Sequence, residues 1–421
     1  MTAEIGILNR QGVALAADSA VTISGNGKEK ILNSANKLFN LIKGKPVGFM
    51  VYGNGSFMGL PWEVIVDYYR KNFDNNIKHP NLKSICDDFI SKLSQNSSFY
   101  NDDALLQLIY NKMSTYLENI IIQTQDELSK RFPNIQVDEE MSLNVFNEII
   151  NQSYNDLSSL NYSINFTEED ENHIYLICDS IVDNLCKQYI KFALPTELFN
   201  KLKNICSIIM CRDILFNYSG IVIAGYGDDE ILPRLYHYKI EGIVNNKLKY
   251  NIEKASIINQ SEFQGGNIAE IVPFAQQEMV HSILTGMDPS LQDFILQSIY
   301  QGYNNILNNL SRDNNEFNNQ LQQYLNNELS TIESNINRFQ RDNFVNPILN
   351  MVAMLNKDEL ATMAENLVNI TSFKRKFTTD IETVGGPIDV AVISKSDGFI
   401  WIKRKHYFNP ELNHSFFNIN N

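Results

Sequence analysis

Thr2, Asp18 and Lys37 are residues of this chain whose types and order can do chemistry together. Methionine aminopeptidases remove Met1 when a small residue follows it, and that step is expected here, leaving a threonine with a free α-amine. A nucleophile and a base then share one residue. The α-amine has a reference pKa of about 7.7–8.0, so near neutral pH a useful fraction is unprotonated and can take the hydroxyl proton. Asp18 closes the run Ala16-Ala17-Asp18-Ser19, and Lys37 opens Lys37-Leu38-Phe39. A buried Lys37 ammonium held by the Asp18 carboxylate would lower the pKa of a neighbouring amine and hydroxyl, by the charge effects that tune catalytic groups. Each residue taken singly has a plainer reading: an ordinary first-strand threonine, a turn-forming aspartate, a solvated lysine. Taken together they make a nucleophilic site.

The elements that must hold these residues are short strands broken by turns. Residues 4–8 and 13–17 are two apolar runs around Asn9-Arg10-Gln11-Gly12, a hairpin signal. Strands are expected at 37–41 and 47–52, separated by Gly44-Lys45-Pro46; Gly53-Asn54-Gly55 then breaks the chain before a helix with Trp62, Ile65, Val66 and Tyr69 on one face. From 82 to 213 the pattern is helical and polar. Thr167 and Asp170 form a capping box, and Ile174, Ile177, Cys178, Ile181, Val182 and Leu185 continue it as one amphipathic helix. Strands return at 220–224, 235–240, 247–252 and 254–258, and a helix is expected over 268–284. Asp288-Pro289 opens another helix. The Asn- and Gln-rich stretch 301–339 repeats Leu310, Phe317, Leu321, Leu325, Leu329, Ile332, Ile336 and Phe339 at three-, four- or seven-residue steps, the pattern of a solvated helical hairpin with one apolar seam. A helix over 357–377, Gly385-Gly386-Pro387 and strands at 388–393 and 399–404 complete the chain. This order implies one α+β domain with core segments 1–75, 216–287 and 350–405, helical insertions at 76–215 and 288–349, and a tail at 406–421.

Composition excludes several function classes. Over 421 residues, 43% are apolar and 20% charged, an ordinary globular balance. Lys and Arg number 35 against 49 Asp and Glu, a net charge of -14, so no broad positive face is available and nucleic acid is not an expected partner. No apolar run approaches the ~20 residues of a bilayer span, so no membrane is expected either. The first residues lack a basic-then-apolar leader, and five cysteines form no CxxC pair, so the expected location is the cytoplasm. The six histidines show no HExxH or i, i+4 pairing, and no phosphate-loop pattern occurs; neither metal nor cofactor is expected.

Thr2 with its alternating strand, Gly12-Val13-Ala14-Leu15-Ala16-Ala17-Asp18, then Lys37-Leu38-Phe39 and Met50-Val51-Tyr52-Gly53, resembles the proteasome β-subunit and HslV family of N-terminal nucleophile hydrolases. The Gly385-Gly386-Pro387-Ile388-Asp389-Val390 run and the Asp397-Gly398-Phe399 turn look like that family's last-strand motif, and about half of the chain is covered. The resemblance implies a four-layer αββα sandwich and a threonine endopeptidase. Thr2 carries over as nucleophile, Asp18 and Lys37 as its activating pair, and the Gly53 amide as oxyanion donor. Asp380 and Thr383 fall, with a one-residue slip, where the family places an Asp and a Ser before the paired glycines. Thr22 matches a backbone position that pairs with an extended substrate; Val21, Ala35, Phe39 and Val51 match the first specificity pocket, all apolar. The implied partners are a polypeptide substrate, further copies in a homo-oligomer such as a ring, and an unfoldase or regulator of unspecified kind. Two other readings stay open: a non-catalytic scaffold protein of the same fold, and a small-amide amidohydrolase.

Overall fold

In chain order the elements of the computed structural model are β1 Glu4–Asn9, β2 Gly12–Ala17, β3 Val21–Gly25, β4 Lys28–Leu32, β5 Leu38–Asn40, β6 Val47–Gly53, β7 Ser56–Phe57, β8 Leu60–Pro61, α1 Trp62–Lys71, α2 Leu82–Gln95, α3 Asp102–Arg131, α4 Glu139–Ser158, α5 Glu168–Ile177, α6 Asp179–Tyr189 and α7 Thr196–Cys211. They continue with β9 Ser219–Gly225, β10 Arg234–Val244, β11 Lys247–Ile257, β12 Ala269–Ala275, α8 Gln277–Thr285, α9 Pro289–Leu310, α10 Asn315–Gln340, α11 Asn346–Val352, α12 Lys357–Lys376, β13 Asp389–Ser394 and β14 Gly398–Lys403. The structure describes residues 3–25, 28–133, 135–310, 315–377 and 384–413. Helices and antiparallel strands are mixed in an α+β arrangement. The chain divides into two units: Met1–Tyr52, Ala224–Leu235 and Ser256–Asn421 form the first, Gly53–Ile223 and Tyr236–Ala255 the second.

The first unit is organised by an antiparallel sheet of order β12-β1-β2-β13-β14. β1, β2 and β13 are buried along their whole length, so both faces must be covered. One face carries Ala3, Ile5, Ile7, Ala14, Ala16, Val390 and Val392, packed against Leu360, Ala361, Ala364, Leu367 and Val368 of α12. Alanine on both partners lets helix and sheet approach closely, and each fully buried Leu or Val contributes about 1.5–3 kcal/mol. Asn356 and Glu359 start α12 with a capping box. The other face receives β6: a Cβ added at Gly48 would stand 2.6 Å from Ile393 Cδ1 and 3.0 Å from Leu15 Cδ1, so only glycine lets β6 lie this close. The β1–β2 turn is tied down by Asn9, whose Nδ2 donates to the carbonyls of Val352 (2.8 Å) and Leu355 (2.9 Å).

The second unit gathers α3 to α7 around its own apolar core, with Ile109, Leu117, Phe146, Ile174, Val182 and Ile205 at its centre. Inside this unit lies a closed charge network. Glu241 of β10 takes Lys112 of α3 at 2.5 Å and Lys249 of β11 at 3.1 Å, and all three side chains are at most 3% exposed. Both ammoniums also donate to main-chain carbonyls: Lys112 to Phe216 (2.6 Å), and Lys249 to Ile209 (2.6 Å) and Ile214 (2.7 Å). The five cysteines are buried free thiols.

Three expected elements are corrected. The helix expected over 268–284 is strand β12 followed by α8. Pro273 has no N–H for a helix interior, whereas β12 is an edge strand where a missing donor is tolerated, and Ile271, Val272 and Phe274 favour extended backbone. The two strands expected at 247–252 and 254–258 are one, β11, with Glu253 bridged across to Lys239 of β10 at 3.0 Å. The helix beginning after Thr167 stops at Ile177 and restarts at Asp179, because Cys178 adopts φ -81, ψ -6, and Asp179 and Ser180 favour a helix start. The expected seam is covered only in part: Leu325 is buried and Leu321, Leu329, Ile332 and Ile336 are half-buried, while Phe317 and Phe339 are exposed and the Leu310 side chain lies outside those described.

Candidate active site

β1 and β2 pair with Ile5 opposite Ala16 and Ile7 opposite Ala14. The ladder runs one step further, the Asp18 amide donating to the Ala3 carbonyl at 3.1 Å. There β2 ends, and the Asp18 carboxylate folds back onto the backbone. Its Oδ1 accepts from the Ala3 amide at 3.2 Å and from Lys37 Nζ at 2.7 Å. Its Oδ2 accepts from the amides of Gly385 at 3.0 Å and Ala20 at 3.3 Å. Asp18 is fully buried and Lys37 only 4% exposed. An isolated charge in such a place is prohibitive; here three amides and an ammonium replace the lost water.

Several segments are therefore fastened to one carboxylate. Lys37 lies just before β5, and its carbonyl accepts from the Val51 amide of β6 at 2.9 Å. Ser19 donates its amide to Gly385 O at 3.2 Å and its hydroxyl to the Pro387 carbonyl, and its own carbonyl accepts from Ala35 N at 3.1 Å. The glycine run ahead of β13 thus contributes the Gly385 amide and carbonyl to the site.

Of the other expected site residues, Phe39 and Val51 are buried while Val21 and Ala35 are half-buried. Phe39 stands opposite Phe49 across β5 and β6, ring centroids 6.2 Å apart. Thr22 pairs with Ile31 in the β3–β4 hairpin. Gly53 belongs to the second unit. Its φ of +76° suits glycine, and a Cβ there would stand 2.7 Å from the Tyr218 carbonyl. The turn is fixed by the Asn54 amide donating to Tyr218 O (3.1 Å) and by Ser219, whose hydroxyl donates to Asn54 O (2.8 Å) and accepts from Trp62 Nε1 (2.9 Å). Thr2, Asp380 and Thr383 lie outside the described residues.

Sequence reasoning missed Glu4. It is fully buried, neither carboxyl oxygen has a hydrogen-bond partner among the described residues, and burial holds its carboxyl well above the usual carboxylate range. The Lys37 ammonium pulls it down and the Asp18 carboxylate pushes it up, both smaller than the effect of burial. A signal was present: an acid inside an apolar strand, in alternation with Gly6 and Leu8 on the face turned from α12.

Among the described residues no group of three or more His, Cys, Asp or Glu side chains is arranged to hold a metal, and no helix is long and apolar enough to cross a membrane. No family model matches the sequence, and no curated protein does. Among solved structures, a Gly-1 mutant of Anbu from Hyphomicrobium sp. strain MC1 aligns over 100% of this chain and 94% of its own, at 8% identity and a TM-score of 0.27.

Proposed function

We propose that this chain is a proteasome-like threonine peptidase. With Met1 removed, the Thr2 hydroxyl attacks a peptide carbonyl while its own α-amine takes the proton; the acyl-enzyme is then released by water. The observation that carries this reading is the buried Asp18 carboxylate shared between the Lys37 ammonium, at 2.7 Å, and the Ala3 amide. A fixed ammonium lowers the pKa of a neighbouring amine, and the Asp18 carboxylate holds that ammonium in place.

In the same proposal the Gly53 amide is the oxyanion donor. Val21, Ala35, Phe39 and Val51 shape an apolar pocket for the side chain before the cleaved bond, Thr22 pairs with the extended backbone of a polypeptide substrate, and Asp380 and Thr383 support the nucleophile. The layering of α12, the five-stranded sheet and β6 in the first unit supports the four-layer αββα sandwich. Assembly as a homo-oligomer, such as a ring, belongs to the same reading, and the steps call for no cofactor.

The test is turnover of a fluorogenic peptide with an apolar residue before the cleaved bond, by protein whose N-terminal mass shows Met1 removed. Thr2→Ala is expected to lose at least about 10³-fold, and the wild-type rate to fall as the amine protonates at lower pH. Equal rates for the two proteins sink the proposal. An intact Met1 on natively expressed protein favours the scaffold reading, and preferred turnover of small amides in competition favours an amidohydrolase.

A further inference from the structure

Glu4 is the first residue of β1, wholly buried, with both carboxyl oxygens unbonded among the described residues. Leaving a buried polar group unsatisfied costs about 1–3 kcal/mol, which an apolar side chain at the same place would avoid. Packing therefore does not explain it. Opposite Glu4 stand Ala17 of β2 and Ala275 of β12, neither of which can bond or charge-balance a carboxyl. Among the described residues the charged groups that act on it are Lys37 ahead of β5 and Asp18, which follows Ala17; one strand beyond Ala17 stands Asp389 of β13 with its partner Lys405. The titratable ring of Tyr52 on β6 lies against Phe274, the neighbour of Ala275, at a centroid distance of 6.4 Å. Asp18 and Lys37 cancel each other, as do Asp389 and Lys405. Among the described residues a full negative charge on Glu4 would have no counter-charge of its own, on a side chain shut off from solvent.

We propose that Glu4 is a positioning residue of the candidate site: seated beside the Lys37–Asp18 pair, it leaves the ammonium on Asp18 while it is neutral and draws the ammonium away once it ionises. The effect on turnover rests on the peptidase reading; the charge coupling does not. The direction in which burial, Lys37 and Asp18 move the Glu4 carboxyl agrees with a group that stays protonated beyond the ordinary glutamate range. As pH rises past its midpoint, Glu4 becomes a second carboxylate competing for one ammonium, and the Lys37 position on Asp18 is compromised. The rate acquires an alkaline limb that the Thr2 amine does not supply, since deprotonation activates that amine.

Two measurements on the full chain test this. Carboxyl-carbon NMR of glutamate-labelled protein, with the Glu4 signal assigned by its absence in Glu4→Gln, reads the titration directly. Glu4 should remain protonated at neutral pH, and its midpoint should move up in Lys37→Met and down in Asp18→Asn. The second is the pH–rate profile: wild type should lose about tenfold per pH unit above the Glu4 midpoint, and Glu4→Gln, which cannot ionise, should lack that limb. A Glu4 signal that titrates with the ordinary glutamates overturns the proposal, as does a midpoint unmoved by both neighbours or an alkaline limb kept in Glu4→Gln. Should the Asp18 and Lys37 variants fail to fold, the wild-type titration still decides. Thr2→Ala separates the two claims: activity equal to wild type removes the peptidase reading, while the Glu4 titration in that same variant continues to test the coupling.

Discussion

Removing Asp18 and Lys37 one at a time and then together separates what the pair does for the fold from what it does for chemistry. Asp18→Asn takes the counter-charge away from an ammonium that is 4% exposed and 2.7 Å from the carboxylate. Breaking a buried pair from one side costs about 3–5 kcal/mol. Lys37→Met leaves a carboxylate that still accepts from the amides of Ala3, Ala20 and Gly385, so its cost is smaller, about 1–3 kcal/mol. In Asp18→Asn/Lys37→Met no buried charge remains to be matched. The double variant should be no less stable than Asp18→Asn, a favourable coupling of about 1–3 kcal/mol. Urea titrations followed by near-UV circular dichroism read this through the midpoints, provided the slope is unchanged. Peptide turnover should behave differently: about 10²–10⁴-fold is lost in both single variants and is not regained in the double, because the charges that tune the amine are gone. Single-variant costs that simply add in the double would refute the argued pairing. Turnover that returns along with stability would refute its catalytic part.

Gly53→Ala places a side chain at φ +76° and a Cβ 2.7 Å from the Tyr218 carbonyl, so a loss of about 1–3 kcal/mol in the urea titration is expected, with lowered peptide turnover in the folded fraction; a midpoint equal to wild type would show that the turn yields freely. In the second unit, Glu241→Gln strips two buried lysines of their counter-charge and should cost about 3–5 kcal/mol, whereas Lys112→Met leaves the balanced Glu241–Lys249 pair and should cost far less; equal midpoints for the two variants would contradict the charge count. Burial pushes the Lys112 ammonium down to about 8, below its ordinary value near 10.4 in the unfolded chain. The unfolded state therefore binds the extra proton between those values. The Lys112 contribution to stability should rise with pH across that window and be least favourable below it, a slope that Lys112→Met removes.

What could be read from the sequence follows from the range of the interactions that decide each feature. β1, β2 and α12 were legible because a strand or helix writes its buried face into its own spacing: Ala14 and Ala16 alternate, and Leu360, Ala364, Leu367 and Val368 recur at helical steps. Asp18 and Lys37 were legible as chemical types in a telling order, and the fold brings them together. The Gly385 amide that completes the carboxylate's set of donors could be placed only once β13 was known to lie beside β2. β12 was misread because a local helical pattern around Ile268 was outweighed by a sheet edge that accepts Pro273.

The charged interior was the least legible part, for a physical reason. Lys112 lies on a long polar helix and Lys249 in a strand with polar neighbours; nothing local distinguishes either from a solvated lysine. Their burial depends on Glu241 and on main-chain carbonyls of Ile209, Ile214 and Phe216 arriving from other elements. Glu4 differs, because the lone acid was visible in an otherwise apolar strand, and the hairpin alternation already turned it away from the Ile5 and Ile7 face. An ionisable residue at such a position either meets a partner from another strand or surrenders its charge. The first outcome describes Asp389, met by Lys405; the second describes Glu4, beside a pair already balanced. Inward-facing acids in a doubly covered sheet therefore carry information in the sequence alone, because burial forces each of them into a paired or a neutral state, and a neutral acid next to a balanced pair is one whose ionisation must disturb that pair.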